Sequence, residues 1–137
     1  MKIRRIDLSD LSDLVEISDW SKADFTGFMN KPNAKGLALV RPTGHFEVVN
    51  GYVLYFDRHG KIEIVDIAIR PSCRRQGWGT RLLHSIPGHI FKAAVFEHSE
   101  IAIQFFIKNE FRGNGVDHRE SGDFWVFRKE VHAASRR

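Results

Sequence analysis

The chain has 137 residues, of which 42% are hydrophobic and 28% are charged, and it contains a single cysteine. This length suits one domain, and the apolar content is enough to build a core, which excludes a globally disordered chain. No apolar run approaches the roughly 18 residues of a membrane helix, and no apolar stretch follows the N-terminal charges as in a secretory signal. We therefore expect a soluble, cytoplasmic, single-domain protein spanning residues 1–137. One cysteine excludes a disulfide framework, and the scattered histidines give no metal-binding spacing, so we expect no metal.

The charge balance is basic, with 21 Lys and Arg residues against 17 Asp and Glu residues and a formal net charge of +4. The sequence pI of about 9.5 fits an anionic partner, which would be a phosphorylated ligand or a nucleic acid. The basic residues form no clustered run and no interleaved aromatic platform, so their pattern disfavours nucleic acid. The last six residues, HAASRR, are predicted to be a basic C-terminal tail beyond a folded core of about residues 2–130.

The first half of the chain is predicted to begin with a strand at residues 2–6. A helix follows from the Asp7–Asp10 segment to about Trp20, because Asp offers N-cap chemistry and the apolar residues recur at helical spacing. Residues 21–36 are rich in Ser, Asp, Gly, Asn and Pro, which predicts a loop with room for one short helix. Three strands come next, the last two joined by a tight turn; they are predicted at residues 37–41, 46–56 and 62–69.

The second half of the chain is organised around a glycine-rich turn at residues 71–79. This turn leads into a helix that Pro87 and Gly88 are predicted to end. The remaining elements are predicted as a strand at residues 90–96, a helix at 99–109, a polar loop at 112–123 and a strand at 124–127. Strands that alternate with helices in this order indicate an α/β domain.

The turn carries the clearest chemical signal, because a strand, two glycines and a helix start follow each other in IEIVDIAIRP–SCRRQGWG–TRLL. Gly77 and Gly79 lack side chains where the chain enters a helix, which lets a ligand approach the backbone closely. The unpaired N–H groups and the partial positive charge of the helix start suit a diphosphate, and the side chains of Arg74, Arg75 and Arg81 would add full charges. The spacing matches neither a P-loop nor a dinucleotide-binding turn.

The segment IAIRPSCRRQGWGTRLL resembles the acetyl-CoA-binding motif of the GNAT N-acetyltransferase superfamily, Q/R-x-x-G-x-G/A after an apolar strand. Arg74, Gly77 and Gly79 stand at the motif's matching positions. The segments IRRIDLSDLSDLVEI, GYVLYF and FEHSEIAIQFFIKNEF extend the resemblance over about residues 2–130. It implies a mixed central sheet with splayed middle strands, flanked by helices, and acetyl-CoA as the co-substrate.

The resemblance also implies which residues hold acetyl-CoA. Backbone groups of Ile67, Ala68 and Ile69 would bind the pantetheine arm, and an N–H near Ile67 would polarise the thioester carbonyl. Ser99 stands where the family has an Asn that contacts the pantetheine, and Phe106 stands where it has a Tyr that protonates the leaving group. The residues implied on the diphosphate side are Arg74, Arg75, Gln76, Gly77, Trp78, Gly79 and Thr80.

A general base is predicted at Glu63, within the apolar strand IEIVDIAI. Burial raises the pKa of a carboxylate and suits it to accept a proton, and some histone-type members of the superfamily have a Glu at this place. The alternative is that Glu63 is an exposed residue at the start of the strand. Asp66, on the opposite face by alternation, is the second candidate for the base, with a structural hydrogen bond as its alternative role.

The resemblance therefore implies an N-acetyltransferase that transfers an acetyl group to a primary amine by direct attack in a ternary complex. The alternative is a catalytically weakened module that binds CoA or acyl-CoA, because Phe106 cannot donate a proton. The acceptor, a small-molecule or protein amine, is expected to enter between the segments at residues 21–36 and 112–123. The sequence leaves open which amine this is and whether the protein forms a homodimer.

Overall fold

The computed structural model describes residues 1–131, and the predicted basic tail at residues 132–137 lies outside the described residues. The chain divides into two compact units. The first unit consists of Met1–Phe56 and Asp66–Pro87, and the second consists of Asp57–Val65 and the chain from Gly88 onward. The expectation of a single domain stays a prediction.

The strands form a mixed sheet with the order β1-β2-β3-β4-β5-β7-β6, which confirms the predicted fold class. The pairing of β4 with β5 is parallel and joins Lys61–Ile64 to Ile90–Ala93. The pairs β1–β2, β2–β3, β5–β7 and β6–β7 are antiparallel. The strands are β1 (Lys2–Arg5), β2 (Ala34–Thr43), β3 (Phe46–Arg58), β4 (Lys61–Ile69), β5 (Ile90–Phe96), β6 (Arg112–Arg119) and β7 (Gly122–Glu130).

The helices are short, and none of those within residues 1–131 has the length and apolar character that a membrane crossing requires. The first helix ends earlier than predicted, because Ser18 adopts an extended conformation after Ile17. A second helix then begins behind a capping box in which Ser21 and Asp24 exchange hydrogen bonds, so a short helix takes up much of the predicted 21–36 loop. The helices are α1 (Leu11–Ile17), α2 (Lys22–Met29), α3 (Trp78–His84) and α4 (Glu100–Lys108).

Aromatic packing joins α2 to β3 in the core of the first unit. The ring of Phe25 meets the ring of Tyr52 edge-on, with centroids 5.7 Å apart, and Trp20 packs against Phe25 at 5.2 Å. Phe25 and Tyr52 are both almost completely buried. Helix α2, in a segment predicted mainly as a loop, therefore contributes to the core and packs on β3, the strand next to β4 in the sheet order.

The predicted polar loop at residues 112–123 is wrong, because Arg112–Arg119 form strand β6 and pair with β7. All eight residues of β6 are exposed, so the strand has no buried face to produce an alternating pattern. The register shifts between Gly113 and Val116, as at a β-bulge, which further hides the strand in the sequence. The last strand is also longer than the predicted residues 124–127.

Candidate functional site

The end of β4 lies close to Gly51 of β3 in the first unit, where a side chain would be crowded. A Cβ atom on Gly51 would lie 2.7 Å from the Ile69 Cδ1 atom and 3.0 Å from the Ala68 carbonyl oxygen. The backbone N–H of Arg70 donates to the Asn50 carbonyl oxygen at 2.7 Å. The backbone predicted to hold the pantetheine arm is thus fixed by its neighbouring strand.

A compact turn connects β4 to α3. The chain forms one 3-10 turn at Pro71–Cys73, and the Cys73 N–H donates to the Arg70 carbonyl oxygen at 2.8 Å. The Arg74 Nε atom donates to the Ile69 carbonyl oxygen at 2.9 Å, which ties the turn back to the end of β4. Two residues then take left-handed conformations, Arg75 with φ of 63° and Gly77 with φ of 81°.

The start of α3 presents backbone donors beside open space. The first helical bond runs from the Arg81 N–H to the Gly77 carbonyl oxygen, so the N–H groups of Trp78, Gly79 and Thr80 belong to the unpaired first turn. A Cβ atom built on Gly77 would meet no atom within 4 Å. Unpaired donors next to vacant volume suit the oxygens of a diphosphate, so the turn fits the group predicted to bind there.

Three arginines surround this turn, and all three are exposed. The Arg81 guanidinium lies 4.9 Å from the ring centroid of Trp78, and the Trp78 Nε1 atom donates to Gln76 Oε1 at 3.3 Å. Within residues 1–131, no carboxylate forms an ion pair with Arg74, Arg75 or Arg81. Their positive charges are therefore available to an anionic ligand at the turn.

Asp66, further back on β4, has a partner on β3. The hydroxyl group of Tyr52 donates to the Asp66 Oδ2 atom at 2.5 Å. Burial raises the pKa of the Asp66 carboxyl group; the hydrogen bonds from Tyr52 and from the Ile67 N–H oppose this rise, while the charge of Asp19 adds to it. The structural hydrogen bond considered for Asp66 thus exists, and its role as a base stays a prediction.

Glu63 lies in the second unit, in a different environment. Its side chain is 54% exposed, and its Oε1 atom lies 3.7 Å from the Arg58 Nη1 atom. Glu63 is therefore an exposed residue near the start of the strand, as in the alternative interpretation, and the burial assumed for its role as a base is wrong. The buried positions of this part of β4 belong to Ile62 and Ile64, so alternation turns Glu63 to the exposed side. The proposed base function of Glu63 has lost its argument from burial and stays a prediction.

The other two predicted ligand residues also lie in the second unit. Ser99 is the N-cap residue of α4, and its hydroxyl group makes no capping hydrogen bond. Phe106 is only 4% exposed and packs against Phe111 at 5.0 Å and against Phe127 at 6.2 Å between ring centroids. Phe106 is therefore a core residue, and contacts of Ser99 and Phe106 with a cofactor stay predictions.

From the sequence, Tyr52 is one of several residues that could replace the family's acid, but packing is its expected role, and it is not among the predicted site residues. A signal for it was present, because an Asp inside an apolar strand requires a buried donor, and a Tyr in the preceding predicted strand can supply one. What the sequence lacked was the register that brings the Tyr52 hydroxyl group to Asp66. The same missing register hid the close approach of Gly51 to Ala68 and Ile69.

A sequence model described as the acetyltransferase (GNAT) family matches residues 5–111. No protein with a curated description matches the chain. Among solved structures, Ard1 from Thermoplasma volcanium superposes with a TM-score of 0.78 at 15% identity, covering 96% of this chain and 97% of that one. The ribosomal-protein-S18-alanine N-acetyltransferase of Escherichia coli gives 0.77 at 16% identity, covering 95% and 93%. Arabidopsis thaliana NAA60 in complex with acetyl-CoA gives 0.75 at 20% identity, covering 95% and 98%. At these identities the likeness establishes the fold alone.

Proposed function

The chain belongs to the acetyltransferase (GNAT) family, and from this premise we propose that it is an acetyl-CoA-dependent N-acetyltransferase that acts on a primary amine. The observation that carries the proposal is the turn before α3, where unpaired N–H groups of the first helical turn lie beside the open space at Gly77. Acetyl-CoA, when bound, supplies the acetyl group as a thioester. The similar NAA60 structure contains that compound, which supports the choice of ligand.

Two parts of the first unit, the turn before α3 and the end of β4, then have a task in binding. The N–H groups from Arg75 to Thr80 would take the diphosphate, and the arginines beside them would balance its charge. The backbone of Ile67, Ala68 and Ile69 would align the pantetheine arm. The close approach of Gly51 would help to hold this backbone in place. We expect direct attack of the amine in a ternary complex, with its proton taken by a carboxylate of β4, for which Glu63 and Asp66 are the candidates.

The proposal is tested first by ligand binding. The thermal midpoint of unfolding is measured with and without acetyl-CoA and desulfo-CoA. A ligand at about 100 times its Kd stabilises a protein by about 2.7 kcal/mol, which is a shift of several degrees for a chain of this size. A folded protein that shows no shift would contradict the cofactor assignment.

Gly77→Asp tests the site itself, with Gly44→Asp as a matched control. Both glycines have positive φ, 81° and 61°, and a Cβ atom at either would meet no atom within 4 Å. The backbone strain is therefore similar, but only Gly77→Asp places a carboxylate where the diphosphate is expected. We expect Gly77→Asp to abolish the shift with acetyl-CoA and Gly44→Asp to retain it. Equal shifts in the two variants would contradict a diphosphate site at this turn.

A second candidate function is a CoA-binding module without transfer activity. The buried, hydroxyl-free side chain of Phe106 at the position of the family's acid favours this candidate. A thiol with a pKa near 8.5 is already a fair leaving group, so the missing acid need not abolish transfer. Product formation with any primary amine in a panel of lysine peptides, N-terminal peptides, polyamines and aminoglycosides would exclude the module. Binding without product throughout would favour it.

A further inference from the structure

Tyr52 is held rigidly where its hydroxyl group meets Asp66. Its side chain has no exposed surface, and its ring is packed edge-on against Phe25 at an interplanar angle of 85°. The hydrogen bond to Asp66, at 2.5 Å, is as short as a charge-assisted O–H···O⁻ bond. A phenol fixed in this way also fixes the carboxyl group that accepts its hydrogen bond.

The connection between α1 and α2 approaches the same pair. The Trp20 N–H donates to the Ser18 Oγ atom at 2.8 Å, and the Trp20 ring packs on Phe25, which packs on Tyr52. Burial raises the pKa of the Tyr52 hydroxyl group, and Ser18 opposes this rise. The charge of Asp19 raises the pKa of both Tyr52 and Asp66. The environment of Asp66 is thus set jointly by the α1–α2 connection, β3 and β4.

Asp66 differs from a carboxylate that merely stabilises the fold. The groups that act on it are the Tyr52 hydroxyl, the Ile67 N–H and the Asp19 carboxylate, and none of these is a cation. Burying a carboxylate without a cation is costly, so an apolar pair at these positions would serve packing better. A buried carboxyl group without a cation, directly before the backbone proposed for the pantetheine arm, is a candidate for proton transfer to or from a substrate.

We propose that Asp66 takes the proton of the attacking amine and that Tyr52 is the positioning residue that holds the Asp66 carboxyl group. This inference rests on the proposed N-acetyltransferase function. The amine nitrogen forms a bond to the acetyl carbon, the bond from that carbon to sulfur breaks, and one N–H proton passes to Asp66. The sulfur leaves as a thiolate, which is protonated through solvent as Asp66 releases its proton.

The positioning by Tyr52 is tested without any activity measurement. Protein carrying 13C-labelled Asp carboxyl groups is titrated by NMR, and the Asp66 signal is assigned by its loss in Asp66→Asn. We expect Tyr52→Phe to raise the titration midpoint of Asp66, because it removes a hydrogen bond that favours the charged form. Tyr55→Phe, a buried tyrosine of the same strand, should leave the midpoint unchanged. An unchanged midpoint in Tyr52→Phe would overturn the positioning role, whether or not the protein is an enzyme.

The base role is tested on the amine with the fastest turnover. We expect Asp66→Asn to lower kcat by about 10²- to 10⁴-fold while the thermal shift with acetyl-CoA is retained. Tyr52→Phe should move the acidic limb of the kcat/KM profile to higher pH, in the same direction as the NMR midpoint, whereas Tyr55→Phe should not. A larger loss in Glu63→Gln than in Asp66→Asn would overturn the assignment of Asp66. A wild-type protein that binds acetyl-CoA but acetylates no amine would refute the enzyme, and the NMR titration would still decide on Tyr52.

Discussion

Asp10 and Asp66 are two carboxylates of the first unit that meet opposite kinds of partner. Burial raises the pKa of the Asp10 carboxyl group, but the Arg4 guanidinium, with hydrogen bonds of 2.8 and 2.9 Å, and the Asp7 N–H hold it below its ordinary value. Burial also raises the pKa of Asp66, and there a phenol and an N–H do not reverse the rise. Burial alone therefore does not distinguish the two residues. The cation makes Asp10 a structural anchor, and its absence leaves Asp66 suited to accept a proton.

Replacing Asp10, the carboxylate whose charge is balanced by Arg4, should give the largest effect on stability. Asp10→Ala takes away both hydrogen bonds from Arg4 and the bond from the Asp7 N–H, and it leaves Arg4 with Glu47 as its carboxylate partner. We expect a loss of about 3 kcal/mol in the free energy of unfolding at neutral pH, measured by urea denaturation. Asp24→Ala is the control, because Asp24 also accepts a hydrogen bond from a backbone N–H near a helix start but is exposed, and it should cost clearly less than Asp10→Ala. An equal or smaller cost for Asp10→Ala would contradict its role as an anchor.

The two carboxylates should also give opposite dependences of stability on pH. The folded-state pKa of Asp66 is raised. Its contribution to the free energy of unfolding is therefore fully present below its ordinary pKa and is lost as pH rises through the folded-state pKa. The folded-state pKa of Asp10 is lowered, so its contribution is present above its ordinary pKa and is lost as pH falls through the folded-state pKa.

Urea denaturation of wild type, Asp66→Asn and Asp10→Ala over a series of pH values isolates the two contributions. From about pH 4 upward, the free energy of unfolding of wild type should fall relative to that of Asp66→Asn. Below about pH 4, the difference between wild type and Asp10→Ala should shrink as the pH is lowered. If the free energy of unfolding of wild type stays constant or rises relative to that of Asp66→Asn as the pH increases, Asp66 is not a carboxyl group with a raised pKa.

Local sequence signals predicted what depends on local chemistry. The glycine-rich turn before α3 is predictable because the end of a strand and the start of a helix both have local signals. These signals are Pro71, Gly77 and the two Leu residues that follow. Strand β6 was missed because an exposed edge strand with Gly113 and Gly115 has no apolar face to alternate. Identifying elements from sequence therefore works where one face must be buried and fails where none is.

The candidate site shows the same limit at the level of side chains. Alternation along β4 separates residues onto two faces, but it does not tell which face the rest of the protein covers, so the sequence leaves both a buried and an exposed Glu63 open. The Tyr52–Asp66 pair depends on the register between residues 14 positions apart in the sequence. Such a pairing is a property of the tertiary structure, and the sequence indicated only that a buried Asp would need a donor.

The smallest effect is expected at Glu63, the exposed carboxylate of β4. Glu63→Gln should change the free energy of unfolding by no more than about 0.5 kcal/mol, because the side chain is half exposed and its contact with Arg58, at 3.7 Å, is a surface ion pair. Urea denaturation in the same buffer as Asp66→Asn makes the comparison direct, since both changes replace a carboxylate by an amide of the same shape. A loss above about 1 kcal/mol would place Glu63 with Asp10, as a carboxylate that the fold needs. A neutral result leaves Asp66 as the carboxylate of β4 whose environment opposes its charge.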